Sequence, residues 1–131
     1  MIFVDTGAWY ASLVPTDPDH SKAVRWLAAN RSPLLTTDYV IDETLTLLRV
    51  RGERKRAQLF GTKFFQHGLA EMHKISAAEL ALAWKTFERF DDKDWSFTDC
   101  TSKIVMEQLG IKEAFAFDHH FRQFGTIRVV P

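Results

Sequence analysis

Two short, wholly apolar runs in this chain each stop at an aspartate, Ile2-Phe3-Val4 at Asp5 and Ala114-Phe115-Ala116-Phe117 at Asp118. Runs without polar alternation suit strands buried on both faces, as in a parallel sheet covered by helices. Helical spacing fills the stretches between them. Asp17-Pro18 predicts an N-cap with proline at the first helical position, followed by an apolar stripe of Ala23, Val24, Trp26 and Leu27. Leu34-Leu35-Thr36-Thr37 reads as a second strand, and Asp38 to Val50 as a helix with Val40, Ile41, Leu45, Leu47 and Leu48 apolar. A further helix carries Ala57, Phe60, Phe64 and Phe65 and stops at Gly68; residues 70–75 are a weak strand. Ser76-x-x-Glu79 has the form of a capping box before Leu80, Ala83, Trp84, Phe87 and Phe90. A helix over 98–109 ends at Gly110, and Ile127 to Val130 closes the chain as a strand. Strands alternating with helices imply right-handed crossovers and a parallel sheet, so the class is α/β.

The 131 residues suffice for one domain, 1–131, and the 46% hydrophobic content suffices for a full core. Seventeen basic residues balance seventeen acidic ones, so no global field advertises a polyanion partner, and a nucleic-acid site must be built locally. The lone cysteine, Cys100, excludes an internal disulfide and fits a reducing compartment. "MIFVDTGAWY" lacks a basic leader region, and no stretch has the roughly 20 apolar residues that span a bilayer. A cytoplasmic domain with no membrane association is the expectation.

Ligands in an open parallel sheet bind beyond the carboxyl ends of its strands. Asp5 and Asp118 stand there, either as N-caps of the next helix or as members of one shared site. Glu43 has apolar helical neighbours, Val40, Leu47 and Val50, whereas Asp42 is flanked by Asp38, Thr46 and Arg49. Glu43 therefore points along the buried side, where a carboxylate needs a cation, be it an arginine or a metal. Within "FDDKDWSFTDC", Asp91, Asp92 and Asp94 read as a solvated connection, while Asp99 opens a helix, either as the partner of Ser96 in a capping box or as a third site acid. Carboxylates sharing a pocket require protonation or a cation, and oxygen donors favour Mg²⁺ or Mn²⁺, ions suited to phosphoryl chemistry. His119 and His120 read as polar loop residues, His20 and His73 have no partners at ligand spacing, and Thr6 is open between capping a helix and binding a site carboxylate.

These segments resemble a PIN domain, in particular the ribonuclease toxins of VapBC toxin–antitoxin pairs. "FVDTGAWYASL", "DYVIDETLTLL", "WSFTDCTSKIVMEQLGI" and "AFAFDHHF" match the family's acidic segments in order, and the resemblance spans the chain. It implies an α/β/α sandwich with a central, mostly parallel sheet, and Asp5, Glu43, Asp99 and Asp118 as catalytic, metal-binding acids. It also implies Mg²⁺- or Mn²⁺-dependent endoribonuclease activity, an RNA substrate, a cognate antitoxin and a homodimer. A non-catalytic regulatory or binding module, receiver-like or a degenerate PIN, is the alternative. A receiver wants paired acids after the first strand and a late lysine, and no lysine follows Lys112. A haloacid-dehalogenase-type phosphatase wants an acid where Gly7 stands. Five of the eight residues from 49 to 56, "RVRGERKR", are basic: either a local phosphate-binding patch or an ordinary solvated helix connection.

Overall fold

A computed structural model describes Met1–Pro131. Five strands, β1 (Ile2–Val4), β2 (Leu34–Thr37), β3 (Glu71–His73), β4 (Glu113–Phe115) and β5 (Arg128–Val130), form one sheet in the order β3-β2-β1-β4-β5. Every pairing is parallel. The helices are α1 (Thr6–Leu13), α2 (His20–Ala29), α3 (Asp38–Val50), α4 (Arg54–His67), α5 (Ala77–Arg89) and α6 (Phe97–Leu109). A 3₁₀ turn over His119–Gln123 replaces a helix between β4 and β5.

The chain steps outward from β1 to β2 to β3, then returns to the other side of β1 for β4. Right-handed crossovers running in opposite directions put their helices on opposite faces. Side chains on the central strands alternate accordingly. Val4 lies in register with Phe115, whose ring stacks on Trp26 of α2 at 4.3 Å. Phe3 points the other way and meets Phe121 of the 3₁₀ turn at 6.1 Å. Trp9 of α1 joins the helical layer to itself, 5.3 Å from Phe60 and 6.5 Å from Phe64. Its indole N–H donates to Thr36 Oγ1 on β2 at 3.4 Å.

Three differences from the sequence expectations have local causes. Helix α1 has no amphipathic stripe to betray it, because Thr6, Ala8, Trp9, Tyr10 and Ala11 are all buried and the helix is apolar nearly all round. The start of α2 falls at His20, with Asp19 at the N-cap position. Asp17 instead folds a turn in which its carboxylate accepts from Asp19 N–H at 2.8 Å. The final apolar runs are shorter as strands than as sequence: β4 ends at Phe115, and Ala116 makes one further bond, N–H to Val130 O at 3.2 Å, before the chain turns at Asp118. The capping box Ser76–Glu79 is present, and His73 Nε2 lies 2.9 Å from the same glutamate.

Candidate active site

The strand order reverses between β1 and β4, and the backbone of Asp5 is fixed at that point. Its N–H donates to Phe115 O, and its own carbonyl accepts from Ala8 and Trp9 N–H groups as α1 begins, each at 3.1 Å. Asp5 thus occupies an N-cap position, yet its side chain makes no capping bond. Released from capping, the carboxylate enters a cavity of about 290 Å³ that Glu43, Asp99 and Asp118 also line. Thr6, Gly7, Leu47, Asp94, Ser96 and His120 complete its wall, with no lysine or arginine among them.

Each acid arrives by a different route. Glu43 projects from α3 and is half-buried; Asp42 beside it is exposed. The buried side inferred from the helical spacing is thus a boundary, since Val50, one of the apolar neighbours that suggested it, is 78% exposed. Asp99 satisfies both readings of its segment. Its Oδ2 accepts Ser96 N–H and its N–H donates to Ser96 Oγ, each at 3.0 Å, while the residue lines the cavity only 7% exposed. Asp118 likewise does both: its Oδ1 accepts His120 N–H at 3.0 Å to start the 3₁₀ turn. Asp91 and Asp92 stay outside the cavity, but Asp94 reaches it, contrary to its reading as plain loop. The cause is its neighbour Trp95, buried against Phe90 and Phe124 and bonded through Nε1 to Gln123 Oε1 at 2.7 Å, which anchors this connection at the cavity mouth.

The crowding shows in the acids' affinities for protons. Burial, then the charge of Asp99, pushes Asp5 up to about 8; Glu43 and Asp118 add to the rise, and only the Thr6 N–H opposes it. Burial also raises Asp99, helped by Asp118 and opposed by the Ser96 N–H and by His120. A carboxylate 4% exposed, with one backbone donor and three acids around it, is an environment that a cation stabilises. Oxygen-rich donors of this kind fit Mg²⁺ or Mn²⁺.

His120 is the member that sequence reasoning missed. Its Nδ1 lies 3.1 Å from Asp99 Oδ2 and 3.2 Å from Asp118 Oδ1. His119 is largely solvent-exposed, its Nδ1 3.5 Å from Asp118 Oδ1. The only available signal was position: a residue two past a capping acid is turned back over it. Thr6 takes neither expected role through its hydroxyl, which reaches Val40 O on α3 at 3.5 Å. Within the basic stretch, Arg56 pairs with Glu53 and Arg51 lies over the Tyr10 ring at 4.9 Å, leaving Arg49, Arg54 and Lys55 without an ion-pair partner. No helix is long and apolar enough to cross a membrane.

The fold is thus a parallel α/β sheet whose switch point gathers acids from four separate segments around one cavity. The sequence matches the PIN domain family over residues 2–127, and the chain belongs to that family. Among its relatives is the 23S rRNA-specific endonuclease VapC20 of Mycobacterium tuberculosis, 34% identical over 131 residues that cover 100% of this chain and 99% of that protein. A VapC ribonuclease of Archaeoglobus fulgidus is 27% identical over 123 residues, covering 90% of this chain and 77% of that protein. The crystal structure of VapC20, described as a sarcin-ricin loop cleaving toxin, superposes with a TM-score of 0.92 at 33% identity, covering 100% of both chains. FitAcB of Neisseria gonorrhoeae shares the fold, with a TM-score of 0.68 at 15% identity over 100% of this chain and 97% of that one.

Proposed function

We propose that the protein is a cytoplasmic endoribonuclease, the toxin of a toxin–antitoxin pair, and that Asp5, Glu43, Asp99 and Asp118 hold the Mg²⁺ or Mn²⁺ on which cleavage depends. One observation carries the reading: all four acids line a single cavity that contains no lysine or arginine. Full-length likeness to a named endoribonuclease supports it, and the receiver-like or degenerate alternative is not favoured.

A bound divalent ion supplies Lewis acidity toward a phosphate oxygen and lowers the pKa of water, so that hydrolysis proceeds near neutral pH. The chain's own groups supply position. Asp5 is held by the β1–α1 junction and Asp99 by its capping box, so neither has to be ordered when substrate arrives. Water's oxygen forms the new bond to phosphorus, the bond to the leaving ribose oxygen breaks, and a proton passes to that oxygen. A covalent enzyme intermediate has no support. Burial pushes the Cys100 thiol up to about 11, and a buried neutral thiol is a poor nucleophile.

Protein partners have surfaces to use. Val50, Leu59 and Phe65 on α3 and α4 and Trp84 on α5 are more than half exposed, apolar area that an antitoxin or a second copy of the chain covers in the complex we propose.

Cleavage of purified 23S rRNA, the substrate named for VapC20, is the first assay, with Mg²⁺, with Mn²⁺ and with excess EDTA. Cleavage confined to the metal-containing reactions supports the reading. Undiminished cleavage in EDTA, or a trapped protein–RNA adduct, overturns it.

A further inference from the structure

We propose that His120 is a nitrogen ligand in this site, making it a mixed nitrogen–oxygen centre that favours Mn²⁺ over Mg²⁺. The inference rests on the reading above that the acidic cavity holds a divalent ion. Its observation is the position of the ring: Nδ1 sits 3.1 Å from Asp99 Oδ2 and 3.2 Å from Asp118 Oδ1. Donor atoms about 2.1 Å from a common ion stand roughly 3.0–3.4 Å apart in octahedral or tetrahedral arrangement, by simple geometry from typical bond lengths. Both separations fall in that span, so Nδ1 stands at ligand spacing from an oxygen of each acid.

The ring is also built in rather than swinging in solvent. Its side chain is 14% exposed, and its backbone N–H is bonded to the Asp118 carboxylate, which fixes its place at the start of the 3₁₀ turn. Across the cavity Asp5 is a buried carboxylate with one backbone donor, facing the same space. With no ion present Nδ1–H donates to Asp99 Oδ2, with Asp118 Oδ1 beside it. With an ion present the proton resides on Nε2 and Nδ1 offers its lone pair. Imidazole nitrogen is a borderline donor that suits first-row transition ions, whereas Mg²⁺ prefers oxygen and keeps several waters. Replacing one oxygen ligand by His120 thus raises affinity for Mn²⁺ and does little for Mg²⁺. His119 also offers a ligand atom within 4.8 Å of those of Asp118 and His120, but it lies mostly in solvent, and the nitrogen is assigned to the enclosed ring of His120.

The test uses the full chain with MnCl₂ or MgCl₂ alone, without RNA. Pulsed electron paramagnetic resonance of the Mn²⁺-loaded wild type should show coupling to a histidine ¹⁴N nucleus. His120→Ala should lose that coupling and lower the ratio of Mn²⁺ to Mg²⁺ affinity by about tenfold, measured by titration calorimetry. His119→Ala should keep both. Saturable Mn²⁺ binding in the wild type with no nitrogen coupling overturns the inference while leaving the carboxylate site standing, and this needs no variant to fold. Coupling that disappears in His119→Ala but survives in His120→Ala assigns the donor wrongly here and also overturns it. Equal weakening of both ions in His120→Ala reduces His120 to a hydrogen-bonding support of the two acids. No saturable binding of either ion defeats the metal reading itself.

Discussion

Asp99 tests, at a single residue, whether capping and site chemistry can be separated. Its carboxylate closes a capping box with Ser96 and also faces the acidic cavity. Asp99 is the N3 member of that box, and an asparagine side-chain oxygen can still accept Ser96 N–H, so Asp99→Asn should keep α6 intact. It removes one of the charges that crowd Asp5. The metal-free variant should therefore melt above metal-free wild type near pH 7, by roughly 2–5 °C if about 1 kcal/mol of repulsion is relieved. It should also lose most RNA cleavage and most of the Mg²⁺-induced rise in melting temperature, which reports metal bound to the folded state. Unchanged activity with an unchanged metal shift would make Asp99 a cap and nothing more. At this scale the sequence was informative wherever a helix sets the geometry. Spacing alone separates Glu43 from Asp42 because side chains three and four apart share a face. It could not separate Asp5, which leaves its cap unmade, from Asp118, which makes one, since that depends on a side-chain torsion. Nor could it place His120, two residues past Asp118, whose position follows from the 3₁₀ turn that this acid nucleates.

Among the elements, α1 was illegible for a reason that also makes it important. Periodicity reveals a helix only when one face is polar, and α1 is enclosed on nearly every side. It carries Trp9, which packs on Phe60 and Phe64 and bonds to Thr36, and it begins at Asp5. Trp9→Ala should cost about 3–5 kcal/mol of stability, read from urea unfolding, because removing a buried indole leaves a cavity and leaves Thr36 Oγ1 with only its bond to Val4 O. A loss under about 1 kcal/mol would mean that α4 collapses freely onto α1. The connection between α3 and α4 allows a second test. Arg54 and Lys55 lack ion-pair partners and are exposed, while Arg56 is engaged by Glu53. If this segment touches phosphates, replacing Arg54, Lys55 and Arg56 together should weaken RNA binding and flatten its dependence on salt, each lost contact removing close to one from the slope. Equal binding with an unchanged slope would leave the segment an ordinary solvated connection. The strands were legible in type but not in length. A short apolar run marks a buried strand, whereas its last hydrogen bond depends on where the neighbouring strand stops.

For the whole molecule, the sheet order explains why acids distant in sequence meet. With β1 central and the order reversing between β1 and β4, residues following those strands, and the starts of helices that cross above them, face one crevice. That architecture gathers like charges, and global stability must register it through pH. Asp5 is held at about 8 in the folded protein, chiefly by burial and then by Asp99, against an ordinary value of 3.8. Between those values the folded state binds more protons than the unfolded chain, so stability falls as pH rises. The favourable contribution is complete below about pH 4 and is lost as pH climbs through about 8. Metal-free wild type should therefore weaken between roughly pH 5 and pH 8.5, and Asp5→Asn, with no proton to lose, should not weaken through this group. Subtracting the two melting profiles cancels the histidines, which both proteins share. Saturating Mg²⁺ should remove most of the difference in slope, because an ion in the cavity holds the wild-type acid ionised throughout. The measurement is thermal or urea unfolding of both proteins across that range, in EDTA and in Mg²⁺. Parallel profiles in EDTA would mean that Asp5 is already ionised without metal, and the account of a charge-crowded site would fail at its most buried member.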